Sequence, residues 1–213
     1  MKAMPDKCVD LVLTDPPYGI KYVCGTRIQK FDKLKNDNNT DFLPEFFRES
    51  LRILTDNSHI YCFCSWRTYA RFIDSCEAAG LKMIACVVWD KQRDGRGIGD
   101  IKGGFYPIHE FCLVASNGRR EWDGKRPSDI FRYEPCYDVS HPTEKPVDLI
   151  AKIISISSHE GELVCDPFSG SGTTGVAAIQ TCRRFLGFEI DPRWCGLANK
   201  RIEAAKAQGV LNL

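Results

Sequence analysis

Four consecutive residues, Asp15-Pro16-Pro17-Tyr18, put an acid, two rigid imino acids and an aromatic ring into one short turn. Proline fixes its own φ and has no N–H, so carbonyls at such a turn stay free to accept hydrogen bonds from a ligand. Asp15 adds a second acceptor, and Tyr18 offers a flat face on which an aromatic ring can stack. Together they describe a cradle for a planar ring bearing an exocyclic amino group. The same residues would also serve as a plain turn with a capping acid and a core tyrosine, because so short a motif recurs without function.

The second chemical stretch is Asp166-Pro167-Phe168-Ser169-Gly170-Ser171-Gly172-Thr173-Thr174-Gly175, which follows the apolar run Leu163-Val164-Cys165. Gly170 and Gly172 let a ligand approach the backbone, and a helix starting there favours partial negative charge. Gly170, Gly172 and Gly175 satisfy a Gly-x-Gly-x-x-Gly spacing, with Glu189 downstream at the distance of a ribose-binding acid. A dinucleotide and S-adenosylmethionine both suit that pattern. Asp166 separates them: it would crowd a pyrophosphate with like charge, whereas a methionine ammonium gives it a salt-bridge partner. The methionine cofactor fits better, with Glu189 accepting both ribose hydroxyls.

Both stretches need a sheet to hold them. Val9 to Thr14 is a short apolar run closed by the proline pair and reads as a buried parallel strand, at whose carboxyl end ligands bind in open α/β sheets. Apolar residues from Phe42 to Leu54 recur at helical spacing, with Thr40 or Asp41 as N-cap. Strands over His59–Cys64 and Met83–Trp89 then flank a helix over Tyr69–Ala79, the alternation of a parallel sheet with helices on its faces. His109–Ala115 reads as a further strand, forming a hairpin-like edge with the loop before it. Val147–Ile156 and Val176–Gln180 read as helices and Phe185–Phe188 as a strand. Lys145, in the stiff turn His141-Pro142-Thr143-Glu144-Lys145-Pro146, stands where it could meet an anionic ligand group near a helix start.

The chain of 213 residues is long enough for one domain with a sizeable core. Its formal charge of +1 gives no global field for a polyanion, so any such site is a local patch. The loop Gly19 to Thr40 is basically biased through Lys21, Arg27, Lys30, Lys33 and Lys35. A second polar loop, Asp90 to Gly104, carries Arg93 and Arg96. Asn117 to Ser140 interleaves Arg119, Arg120, Lys125 and Arg126 with Trp122, Phe131 and Tyr133, which suits a nucleic-acid surface and equally a solvated insert. Eleven cysteines without a Cys-x-x-Cys pair read as reduced core thiols in an intracellular compartment, and His141, without partners at metal spacing, as structural. No apolar run reaches membrane-spanning length.

The order of motifs, from Asp15-Pro16-Pro17-Tyr18 through the 141–146 turn to Asp166–Gly172 and Gly187-Phe188-Glu189-Ile190-Asp191, resembles the beta group of DNA amino-methyltransferases over nearly the whole chain. The resemblance implies a Rossmann-like methyltransferase fold with a mixed, mostly parallel sheet and permuted motif order. It implies one domain over residues 1–213 with a small target-recognition insert around 117–140. S-adenosylmethionine would be the donor, held by Lys145, Asp166, Phe168, Ser169, Gly170, Ser171, Gly172, Thr173 and Glu189. Double-stranded DNA would be the substrate, contacted by Arg93, Arg96, Arg119, Arg120, Lys125 and Arg126.

Asp at the first catalytic position resembles the adenine enzymes, with a flipped base stacked on Tyr18 and its amine held by Asp15 and the Pro16 carbonyl, Pro17 keeping the turn rigid. Cytosine-N4 transfer and a non-catalytic DNA-binding remnant are the alternatives. The setting implied is the cytoplasm, for a bacterial or phage-encoded protein of DNA methylation or restriction-modification, with a homodimer or an accessory specificity partner completing recognition. Relatives in this group begin with a further strand ending in a Gly-Asp-like pair that meets the cofactor's adenine. Met1 lies only a few residues before Val9, so that strand is expected to be missing and cofactor affinity weaker for it.

Overall fold

A computed structural model describes residues 1–20, 39–92, 103–105, 107–122, 125–136 and 144–211. The core is a seven-stranded sheet of order β5-β3-β4-β2-β1-β6-β7. Its strands are β1 (Val9–Thr14), β2 (Leu54–Cys64), β3 (Lys82–Asp90), β4 (His109–Asn117), β5 (Ile130–Arg132), β6 (Leu163–Asp166) and β7 (Arg184–Gly187). All pairings are parallel except those of β4 with β2 and β3.

Helices cover both faces because the central strands alternate between two apolar sides. Ile60, Cys62 and Cys64 of β2 pack against α1 (Leu43–Ile53) and α2 (Tyr69–Ala78), where Phe47, Phe72 and Cys76 are fully buried. Tyr61 and Phe63 point the other way, to Leu149, Ile150 and Ile153 of α3 (Val147–Ser157) and Ala177 and Ala178 of α4 (Thr173–Gln180). The long α5 (Pro192–Leu211), which the sequence reading did not assign, lies beside α4. An added Cβ at Gly172 would stand 2.7 Å from the Ala198 Cβ of α5, so only glycine admits that approach.

Three details differ from expectation. The N-cap of α1 is Phe42, with no side-chain cap bond; the Thr40 carbonyl instead accepts from the Leu43 N–H at 3.1 Å. The helix ends at Ile53 and the chain passes directly into β2, which begins five residues before His59. Most consequentially, β4 is no hairpin edge: it is inserted antiparallel between β2 and β3, which pair it from Ser58 to Cys64 and from Lys82 to Asp90. After β4, within residues 117–140, β5 adds a parallel border strand alongside the carboxyl end of β3.

β1 pairs with β2 on one side and β6 on the other. The chain leaves β1 through α1 toward β2 and leaves β6 through α4 toward β7. The connections diverge, so a crevice opens at the carboxyl ends of β1 and β6, the topological switch point where α/β sheets bind ligands.

Candidate functional site

Thr14 ends β1 and Asp166 ends β6, and their side chains meet across the crevice. Asp166, 3% exposed, accepts from Thr14 Oγ1 at 2.6 Å, Thr174 Oγ1 at 2.7 Å and the Phe168 N–H at 3.0 Å. Three donors leave a carboxylate with acceptor capacity for one more. Burial pushes its pKa up to about 6, against the pull of those three donors.

Behind Asp166 the chain turns through Gly170 (φ 49°) and Gly172 (φ 82°) into α4, both in the left-handed region. Glu189, just past β7, closes the turn: its two oxygens accept the Gly170 N–H at 2.9 Å and the Asp191 N–H at 2.8 Å. Each oxygen keeps a further lone pair. An anchored acid with spare acceptors beside the glycine turn suits a vicinal diol, and the spare acceptor of Asp166 suits an ammonium. Ser169, Ser171 and Thr173 line the same cleft, whose volume is about 450 Å³ counting its open mouth. Phe168 borders it too, while its ring packs against Phe42 and Phe46 at 5.5 and 5.7 Å between centroids.

Asp15 lies on the opposite wall of that cleft, its side chain 23% exposed. Oδ1 accepts the Tyr18 hydroxyl at 2.5 Å, and Oδ2 accepts from Lys145 Nζ at 2.5 Å. Lys145 therefore sits on Asp15, not on a free anion-binding spot at the start of α3. It is 7% exposed, and its ammonium lies 5.0 Å from the Phe63 ring centroid. A second carboxylate shares it: Glu110 Oε2 is 3.1 Å from Nζ and accepts the Tyr18 hydroxyl at 3.2 Å, while Glu110 Oε1 takes Lys91 Nζ at 2.6 Å.

These four charges set one another. Burial raises the Asp15 pKa and the neighbouring Glu110 charge adds to it, outweighing Lys145. Burial pushes Glu110 upward as well, but Lys145 and Lys91 together hold it down at about 2. Burial would lower Lys145, yet the two carboxylates keep it protonated. Burial, followed by the Asp15 charge, lifts Tyr18, so its hydroxyl remains a donor.

The turn that delivers Lys145 is clamped from α5. Arg201 donates to Glu144 Oε1 at 2.6 Å, and to the Ser171 carbonyl and hydroxyl at 3.0 and 2.9 Å, tying residue 144 to the glycine turn.

The sequence-predicted residues thus divide. Asp15, Tyr18, Lys145, Asp166, Phe168, Ser169, Gly170, Ser171, Gly172, Thr173 and Glu189 come together at the carboxyl ends of β1, β6 and β7; Pro16 is buried beneath them and Pro17 half-buried. Arg119 and Arg120 do not join them. They follow β4 where it ends, at the opposite end of the sheet: the Arg119 N–H is bound by Asn57, and Arg120 pairs at 2.8 Å with Glu162, ahead of β6. Lys125 and Arg126 are exposed ahead of β5. Arg93, Arg96, the basic loop residues from Lys21 to Lys35 and His141 lie outside the described residues.

Glu110, Lys91 and Arg201 escaped sequence reading. Glu110 carried one signal, a charge near the start of an apolar strand, but it reaches Asp15 only because β4 runs antiparallel. The ten described cysteines are all free, five of them buried.

Comparison with known proteins identifies the family. The DNA methylase family model (N6_N4_Mtase) matches residues 9–200. The DNA adenine methyltransferase YhdJ of Escherichia coli K12 is 28% identical over 242 aligned residues, covering 96% of this chain and 80% of YhdJ. The crystal structure of the M1.HpyAVI–SAM complex superposes with a TM-score of 0.70 at 28% identity, covering 92% of this chain and 90% of that one. The cytosine-N4-specific PvuII DNA methyltransferase has a TM-score of 0.76 at 17% identity, covering 94% and 81%, a likeness of fold alone. The chain belongs to the DNA methylase family whose model spans its sheet from β1 to α5.

Proposed function

We propose that this protein transfers the methyl group of S-adenosylmethionine to the exocyclic N6 of adenine in double-stranded DNA, once the base is flipped out of the helix. One observation carries the reading: Asp15, a hydrogen-bond acceptor, faces Asp166 and the glycine turn across a single cleft. The amine to be methylated and the donor's methyl group would meet between them.

The residues present fit the donor. Asp166 would take the ammonium, Glu189 the ribose hydroxyls, and the turn through Gly170 and Gly172 the close-lying methionine portion, with Ser169, Ser171 and Thr173 around it. Bound there, the sulfonium supplies an electrophilic methyl. The chain's own part is to orient the acceptor: Asp15 and the Pro16 carbonyl accept the two amino hydrogens, so the nitrogen lone pair points across the cleft. Tyr18, its hydroxyl fixed by Asp15 and Glu110, holds its ring for stacking. Positioning and charge matching supply most of the acceleration. After transfer, the nitrogen sheds one hydrogen as a proton to the adjacent Asp15 carboxylate.

Adenine is preferred to cytosine because the motif begins with Asp, the form the adenine enzymes of the resembling group carry, and because YhdJ is named for adenine. The DNA would approach the carboxyl ends of the strands, where Trp66, 61% exposed, and Arg67 follow β2. The segment bearing Arg93 and Arg96 would complete the contact, whereas Lys125 and Arg126 precede the amino end of β5 and so lie on the side away from the cleft; the small segment around 117–140 implies a short recognition site or a second subunit. No helix among the described residues is long and apolar enough to cross a membrane, and we place the protein with its DNA in the cytoplasm of a bacterium.

The test is product identity. Undermethylated DNA is incubated with the protein and S-adenosylmethionine, digested to nucleosides and separated; N6-methyladenine is expected, and N4-methylcytosine as the sole product would overturn the choice of acceptor.

A further inference from the structure

Glu110 does not line the cleft, yet it shares both partners of the catalytic carboxylate, Lys145 and the Tyr18 hydroxyl. The arrangement poses a problem for the reaction. Asp15 Oδ2 is occupied by an ammonium at 2.5 Å and Oδ1 by a hydroxyl at 2.5 Å. Each oxygen keeps a further lone pair, but a contacting ammonium draws off the negative charge an amino hydrogen would share, so Asp15 accepts more strongly once Lys145 withdraws. Lys145 is buried, and the rings of Phe63 and Trp89, at 5.0 and 5.9 Å, offer only weak compensation to an ammonium that has lost its counter-ion. Glu110 is the anion within reach at 3.1 Å, and Lys91 anchors its far oxygen so that it stays in place while Lys145 moves.

We propose that Glu110 is a positioning residue that receives Lys145 when Asp15 turns to the incoming base, freeing the catalytic carboxylate without stranding a buried cation. The inference rests on Asp15 being the amine acceptor. Lys145 thereby acts as a latch: it bridges Asp15 and Glu110 in the free protein, and stays with Glu110 alone once the base is seated. Glu110 keeps its charge throughout, because its two lysines hold its pKa at about 2.

The experiment compares wild type, Glu110→Gln, Lys145→Met and the double variant in single-turnover methyl transfer at saturating S-adenosylmethionine and DNA, with cofactor affinity measured in parallel. Glu110→Gln leaves Lys145 with Asp15 alone, and transfer is expected to fall about 100-fold, the scale of losing one partner of a buried charge. Cofactor affinity should stay within about twofold. The double variant removes the clamp along with its receiver, and should transfer at least about tenfold faster than Glu110→Gln. Glu110→Asp, which keeps the charge on a shorter arm, should fall between wild type and Glu110→Gln.

The pH profile supplies a readout that a merely structural role would not move. Asp15 is faced by Lys145, Tyr18 and Glu110, with Cys64, Cys112 and Asp166 farther off. Removing the Glu110 charge while Lys145 remains lowers the Asp15 pKa, so the acid limb of the rate profile should move to lower pH. Additive losses in the double variant, or an unmoved acid limb, would overturn the proposal. A wild-type protein that transfers no methyl group while Asp15→Ala behaves identically would instead overturn the assignment of Asp15, and the latch with it.

Discussion

Replacing Asp166 by Asn exchanges a buried carboxylate for a neutral group of the same shape, and its consequences run in opposite directions for stability and binding. The pKa of Asp166 rises from 3.8 to about 6 on folding because burial outweighs its three donors. A carboxyl group raised in this way contributes stability that is fully present below about 3.8 and is lost as pH rises through about 6. A shift of roughly two pKa units makes the ionised form cost about 3 kcal/mol at pH 8 and, from the same two pKa values, about 2 kcal/mol at pH 5. Asn mimics the neutral acid: its carbonyl oxygen still accepts from Thr14 and the Phe168 N–H, and the Thr174 hydroxyl can rotate to accept from the new amide. The Asn variant should therefore gain stability over wild type, and its advantage should grow by about 1 kcal/mol between pH 5 and pH 8. Urea denaturation of both proteins at the two pH values measures this. The same variant cannot pair with an ammonium, so its affinity for S-adenosylhomocysteine should fall at least about tenfold at pH 8. A variant whose stability relative to wild type is the same at both pH values would refute the reasoning, because the charge of Asp166 would then cost the fold nothing.

Gly172→Ala should destabilise the protein by about 1–3 kcal/mol, since φ is 82° and the new Cβ would meet the Ala198 backbone at 2.8 Å; thermal unfolding reads it. Arg201→Met removes the tie between Glu144 and the Ser171 carbonyl, and should weaken cofactor binding about tenfold by calorimetry, with Arg201→Lys recovering little because one ammonium cannot span both partners. Arg120→Ala should leave DNA affinity unchanged in a gel-shift titration while lowering stability by about 1–2 kcal/mol through loss of Glu162, whereas Arg67→Ala, at the exposed carboxyl end of β2, should weaken DNA binding without unfolding the protein.

Short motifs that fix backbone were legible in the sequence. Asp15-Pro16-Pro17-Tyr18 follows β1 directly, and Asp166 with Gly170 and Gly172 forms the predicted strand, turn and helix start, because prolines and left-handed glycines act within a few residues of themselves. What depended on strand order was not legible. The alternation in His109–Ala115 is the same whether β4 borders the sheet or lies within it, parallel or antiparallel, and only the observed pairing carries Glu110 to Asp15 and sends Arg119 and Arg120 to the far end. Lys145 was expected at a ligand and sits on Asp15, since the pull of a buried carboxylate is a property of distance, not of position along the chain. The Thr40 or Asp41 cap of α1 failed because Pro44 near the helix start and the packing of Phe42 on Phe168 set the entry of the chain instead.

The most direct test of the account is the rate of labelled methyl transfer from S-adenosylmethionine to undermethylated DNA by the wild-type protein and by Asp15→Ala, with cofactor affinity measured on both. The predicted result is label in adenine with wild type, a loss of at least about 1,000-fold in Asp15→Ala, and cofactor affinity unchanged within about twofold. Undiminished transfer by Asp15→Ala would contradict it.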